Sequence, residues 1–108
     1  MKRGEVWWVE FEHSVGSEVR KTRPAVIVSN DSANRYLSRV VVVPITSNTE
    51  HIYPSEAVVI IGDKSCKAMA DQIMAADKSR LKTKFDTISK ADMKAVDDAI
   101  KVHLALER

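Results

Sequence analysis

Apolar residues in this chain fall in short β-branched or aromatic runs separated by polar, turn-forming segments, and only the C-terminal stretch shows a helical period. Glu5 to Phe11, EVWWVEF, predicts a first strand, since aromatic and β-branched side chains suit a pleated surface. Alternation puts Val6, Trp8 and Glu10 on one face and Trp7, Val9 and Phe11 on the other, the second set making the better core. Trp8, with a large ring and an N–H that wants a partner, is expected at an edge or interface. Glu12 to Thr22 has no periodicity and predicts a loop, long for a small domain and of a length often kept for function. A strand follows from Pro24 to Ser29. Pro24 fixes its own φ, lacks an N–H and holds Arg23 extended. The unbroken run Ala25-Val26-Ile27-Val28 suits a strand buried on both faces, and Arg23 is expected where loop becomes sheet.

Asn30-Asp31-Ser32 is capping chemistry, followed by a brief helix over Ala33 to Leu37. Arg39 to Thr46, RVVVVPIT, is the most strongly strand-like run, and its Pro44 argues for an edge, a bulge or a strand end. Ser47 to Ser55 predicts a loop with a turn at Tyr53-Pro54. Glu56 to Ile61 predicts a strand closed by Gly62-Asp63, whose turn favours a hairpin into one further strand over Lys67 to Ala76. Asp77 to Leu81 predicts a turn and Thr83 to Ile88 a last strand. Ser89 opens the clearest helix, with Ser89-x-x-Asp92 resembling a capping box. Met93, Val96, Ile100 and Leu104 make its apolar stripe, and Lys94–Asp98 and Asp97–Lys101 its outer charge pairs. Mostly sequential strands with short turns, one brief helix and one amphipathic C-terminal helix give an α+β fold: a small, strongly bent antiparallel β-barrel with the final helix packed across one opening.

At 108 residues, 44% apolar and 30% charged, the chain has the size and balance of one ordinary domain spanning residues 1–108. No apolar run approaches the ~20 residues of a membrane span, and the start at Met1-Lys2-Arg3-Gly4 leaves no room for a signal peptide. The lone Cys66 is expected as a small buried apolar residue in a reducing cytoplasm. A net charge of +2 declares no partner by itself. Its distribution says more: Arg20, Lys21 and Arg23 cluster in the first loop, and Lys78, Arg80, Lys82 and Lys84 recur at alternate positions. The second group fits either a phosphate track or a strand edge kept soluble by lysine.

The residue pattern sets some chemistries aside. His13, His51 and His103 lie far apart, no metal-binding His or Cys spacing occurs, and Asp31, Asp63 and Asp71 are explained as cap, turn and strand residues, so no metal or other cofactor is expected. No glycine-rich phosphate loop is present, and no Ser-His-Asp order points to a hydrolase triad. His103, in the last turns of the final helix, suits a structural or dipole-neutralising role.

The blocks RGEVWWVEF, GSE, RPAVIVSND, VVPITSN, YPSE, ADQI, DKSRL and VDDAIKVHLAL, in that order from Arg3 to Leu106, resemble the MazF/PemK family of toxin endoribonucleases. The resemblance implies an SH3-like barrel of the CcdB/MazF type that forms a homodimer, with RNA in a groove across the dimer. It also implies metal-independent cleavage of single-stranded RNA (messenger, ribosomal or transfer) to 2′,3′-cyclic phosphate and 5′-hydroxyl ends, and inhibition by a cognate antitoxin with an acidic tail. The family's arginine of the RP block falls on Arg23 and its threonine of the PIT block on Thr46. The first-loop glycine, serine and acid fall on Gly16, Ser17 and Glu18, and the sheet-borne glutamine on Gln72. Three positions depart from the family pattern: Val19, Ser55 and Met74, the last losing a cation that could touch phosphate.

RNA carries its own nucleophile, so a protein need only orient the ribose 2′-hydroxyl and neutralise charge building on the phosphoryl oxygens. Arg23, permanently charged and forked, suits the electrostatic part, and Thr46 the positioning of a phosphate or leaving oxygen. Glu18 is the nearest candidate base by motif. Ser17 to Lys21 (with Glu18 and Arg20) is the expected base-reading loop, with Gln72 also placed for RNA contact, while the segment from Ser47 and Asn48 to Tyr53 suits either base contact or, slightly better, a plain solvated connection. The competing reading is a non-enzymatic, CcdB-like toxin that binds a protein such as gyrase through the C-terminal helix. That helix ends in LALER, without an aromatic anchor.

Overall fold

The computed structural model describes residues 1–11 and 21–107, and of Lys21 the backbone alone. In chain order the elements are β1 (Glu5–Phe11), β2 (Lys21–Ile27), α1 (Asp31–Tyr36), β3 (Arg39–Thr46), β4 (Glu56–Ile61), β5 (Lys64–Met69), β6 (Met74–Asp77), β7 (Leu81–Thr87) and α2 (Lys90–Leu104). Single 3₁₀ turns at Ala70–Gln72 and Lys78–Arg80 join β5 to β6 and β6 to β7. The strands pair antiparallel in the order β4-β5-β3-β2-β1-β7, with β6 also on β3. The expected α+β architecture, with a short helix after β2 and a helix at the C-terminus, is present. The barrel is not closed: β4 and β7, at the two ends of the order, do not pair. A side chain spans the seam instead, the Gly62 N–H donating to Asp86 Oδ2 at 2.9 Å.

The central strands are buried on both faces, as the unbroken apolar runs require. From β2 and β3, Val26, Val43 and Ile45 enter one cluster with Val6, Val59, Ala68 and, from α2, Val96 and Ala99. The alternate residues Ala25, Ile27, Val40 and Val42 enter a second cluster with Val9, Ala76 and Leu81. This division corrects the expected core face of β1. Val6 is as fully buried as Val9, while Trp7 and Phe11 only pack on the rim of the second cluster, because each face of β1 meets a different cluster.

Four other boundaries differ from expectation for identifiable reasons. First, β2 begins at Lys21, so Arg23 sits inside the strand opposite Val9 and not at its mouth. Second, Pro44 is neither at an edge nor at a strand end. It lies where β3 passes from pairing β6 through Val42 to pairing β5 from Ile45, a handover at which one ladder N–H is dispensable. Third, the single strand expected over Lys67 to Ala76 is broken, because β5 and β6 share one edge of β3 and the Ala70–Gln72 turn carries the chain from one half to the other. Fourth, α2 keeps only half of its capping box: Ser89 Oγ accepts from Asp92 N at 3.0 Å, but the Asp92 carboxylate reaches across to the Ile60 N–H at 2.9 Å. Asp97 likewise pairs with Arg3 rather than Lys101. Lys94 and Asp98 do meet, at 3.4 Å. Leu104 is exposed, since the helix ends at the left-handed Ala105 beyond the sheet.

Candidate active site

A cleft of about 470 Å³ opens at the unpaired seam. Its polar wall is Arg23, Thr46, Ser47 and Lys64; its apolar wall is built chiefly by Trp8 and Phe85, with Cys66 at the base. A larger hollow of about 810 Å³ beside α1 holds none of the candidate residues. The smaller cleft is the better site because it brings Arg23 and Thr46 together beside a stacked pair of aromatic rings.

Three strands set the polar wall. Pro24 directs β2, placing Arg23 in a ladder whose neighbours Val9 and Ala25 are fully buried. The Arg23 side chain is half-buried, and among the described residues no carboxylate or carbonyl engages its guanidinium. Thr46 ends β3 opposite Lys67 of β5. Its Oγ1 accepts from the Asn48 N–H at 3.2 Å, and among the described residues its own O–H has no acceptor. The hydroxyl proton is therefore free to point into the cleft. Lys64 follows the Gly62-Asp63 turn, where Gly62 takes φ of 62°, a conformation that suits glycine.

Of the other residues singled out in sequence, Ser47 lines the cleft and Asn48 lies next to it, exposed, its Oδ1 accepting from Glu50 N at 3.1 Å. Gln72 is not in the cleft; it is exposed in the 3₁₀ turn, its Nε2 lying 3.5 Å from Met69 Sδ. Lys21 opens β2 opposite Phe11. Gly16, Ser17, Glu18, Val19 and Arg20 lie outside the described residues. Met74 begins β6 away from the cleft, and Ser55 Oγ lies 3.2 Å from His103 Nδ1, tying the end of the 47–55 segment to α2.

Trp8 and Phe85 were not singled out for the site, although Trp8 was expected at an edge. Their rings stack with centroids 5.2 Å apart and remain 39% and 41% exposed, an aromatic face too large to leave in water without use. The signal in sequence was Phe85 pointing away from Lys82 and Lys84. The alternating basic residues are engaged locally: Lys84 pairs with Glu5 at 3.4 Å and Lys82 donates to the Ser79 carbonyl at 3.0 Å. Cys66 is buried, as expected.

Two glutamates outside the cleft carry shifted carboxyls. Burial works against the charge of Glu5, yet the Trp7 indole N–H, the Lys2 backbone N–H and Lys84 hold its carboxyl below the usual range. Burial also opposes the charge of Glu56, and the Tyr53 N–H and the Lys67 ammonium more than offset it. Among the described residues no group of three His, Cys, Asp or Glu side chains could hold a metal ion. No helix there is long and apolar enough to cross a membrane.

Residues 2–104 match the model of the "PemK-like, MazF-like toxin of type II toxin-antitoxin system" family. The chain is 38% identical over 115 residues to "Endoribonuclease MazF9" of Mycobacterium tuberculosis, covering 98% of each protein. It is 34% identical over 112 residues to "Endoribonuclease MazF" of Staphylococcus saprophyticus, covering 98% of this chain and 92% of that one. Among solved structures it is similar to an "Endoribonuclease in complex with its cognate antitoxin from Mycobacterial species", with a TM-score of 0.82, 26% identity, and 100% and 98% of the two chains covered.

Proposed function

Because this chain belongs to the PemK-like, MazF-like toxin family of type II toxin–antitoxin systems and is an endoribonuclease, we propose that it cuts single-stranded RNA in the cytoplasm without a metal ion. The observation that carries the chemistry is the company Arg23 keeps. A guanidinium that no described residue engages shares a cleft with a Thr46 hydroxyl whose proton has no acceptor among the described residues. The ribose 2′-oxygen attacks the adjacent phosphorus, the bond from phosphorus to the 5′-oxygen breaks, and the products are a 2′,3′-cyclic phosphate and a 5′-hydroxyl. Negative charge grows on the non-bridging oxygens during this step, and a forked, permanently charged guanidinium on the cleft wall stabilises it. Thr46 donates a hydrogen bond to a phosphate or leaving oxygen, Glu18 of the first loop is the candidate base that takes the 2′-hydroxyl proton, and the leaving 5′-oxygen takes up a proton from water.

The Trp8–Phe85 stack offers a face on which a base can lie, the usual mode of holding single strands. The protein works as one domain over residues 1–108, as a homodimer, and a cognate antitoxin fills the same cleft with an acidic segment. The test uses pure protein and a long single-stranded transcript in EDTA. Cleavage is expected in full with the chelator and slowed about 10²–10³-fold in Thr46→Ala, whose melting temperature stays near that of wild type. Cleavage that stops on chelation, or that persists at the wild-type rate in Thr46→Ala, overturns the mechanism.

A further inference from the structure

Lys67 is buried in β5, 9% exposed, and the chemistry above makes no use of it. Its ammonium donates to the His51 carbonyl at 2.7 Å and to Glu56 Oε1 at 3.0 Å, and stands 5.6 Å from the centroid of the Tyr53 ring. Glu56 Oε1 in turn accepts the Tyr53 N–H at 2.9 Å. One side chain therefore pins the middle and the end of the 47–55 segment. At the segment's start, the Asn48 N–H donates to Thr46 Oγ1, and Thr46 is the ladder partner of Lys67 itself. A buried pair of this kind adds little stability over well-packed apolar residues of equal volume, whereas its geometry is specific. What the ammonium adds here is direction: it sets the path of the segment that decides how Thr46 presents its hydroxyl.

We propose that Lys67 is a positioning residue for the Thr46 hydroxyl, holding the 47–55 segment so that Asn48 occupies the acceptor side of Oγ1 and leaves its O–H aimed at the substrate. This inference rests on Thr46 touching the RNA, as proposed above. The test is a double-mutant cycle on a short single-stranded RNA with one cleavage site, under single-turnover conditions. Lys67→Met is expected to lower the rate of the chemical step about 10- to 100-fold, the range for a catalytic group displaced by about an ångström, with little change in the half-saturating protein concentration. In a Thr46→Ala background the same substitution is expected to change nothing further. Should Lys67→Met strand the buried Glu56 carboxylate and unfold the protein, Lys67→Met with Glu56→Gln removes the charge pair together and carries the same expectation. An equal loss in both backgrounds, or no loss in the wild-type background, overturns the role of Lys67. Full activity of Thr46→Ala alone overturns the reading of Thr46 instead, and is seen separately.

Discussion

Replacing Arg23 by alanine removes a half-buried guanidinium that no described residue engages. No ion pair is broken and no buried acceptor is stranded, so the stability change should stay within about 0.5 kcal/mol, typical of substitutions away from such features. For a domain of this size that is about 2–4 °C in melting temperature. The rate is another matter. Losing one donor aimed at charge that develops only in the transition state costs about 10²–10³, or roughly 2.7–4 kcal/mol. Arg23→Lys separates charge from shape: it keeps the cation but presents a point donor in place of a fork. It forfeits about one charge-assisted hydrogen bond, roughly 1.5–3 kcal/mol, and should fall between wild type and alanine. The assay is single-turnover cleavage of a short RNA with a mapped site, protein in excess and EDTA present, with thermal melting of each variant alongside. The reasoning predicts a loss in the chemical step with the binding midpoint moved far less, because uniform binding of ground and transition states would not accelerate the reaction. An Arg23→Ala protein within tenfold of wild type refutes it. So does a loss matched by a fall in melting temperature, since the residue would then be structural.

Two further outcomes concern stability. Ala105 takes φ of 57° at the end of α2, where its N–H bonds the Lys101 and Val102 carbonyls, and the left-handed conformation is unfavourable for any residue with a Cβ; Ala105→Gly should raise stability by about 0.5–1 kcal/mol, and a lower melting temperature would contradict this. Glu56 and Glu5 have carboxyl pKa values lowered by folding, so their contribution is complete above the ordinary glutamate value near 4.3 and is lost as pH falls through the lower folded value. Melting followed from pH 7 to pH 3 should therefore show Glu56→Gln less stable than wild type at neutral pH and the gap closing in acid; a gap independent of pH would exclude the ionic contribution.

The strands and both helices were legible in the sequence because each has a strong local cause: β-branched runs for β2 and β3, an N-cap at Asn30 and at Ser89 for the helices. What misled was competition for partners, which no local pattern records. Asp92 looks like a capping-box acid and goes to the Ile60 N–H; Asp97 looks like a helix-surface partner for Lys101 and goes to Arg3. AMADQIMAA reads as one element because nothing local says that β3 must share one edge between two strands. At the site, Arg23 and Thr46 were readable through a proline and a family pattern, and they do line one cleft. Lys67 was not, for a lysine in a strand is ordinarily a solvated edge residue, and only the tertiary meeting of His51, Tyr53 and Glu56 buries it.

The position of the cleft follows from the failure of the barrel to close. A small barrel whose strands pair all the way round fills its interior with side chains and leaves no room for a chain of nucleotides. Here β4 and β7 stop short of each other, and the side chains that a closed interior would have swallowed, Trp8, Phe85, Ile61 and Cys66, line an opening. The Asp86 carboxylate accepts the Gly62 N–H across that gap, bridging it without sealing it. A cleft open to solvent along a seam suits a polymer better than an enclosed pocket does. If Arg23 and Thr46 act on RNA as proposed, the unpaired seam is what lets the cation and hydroxyl reach a backbone phosphate. The sheet's incompleteness and the enzyme's substrate are then two consequences of one topology.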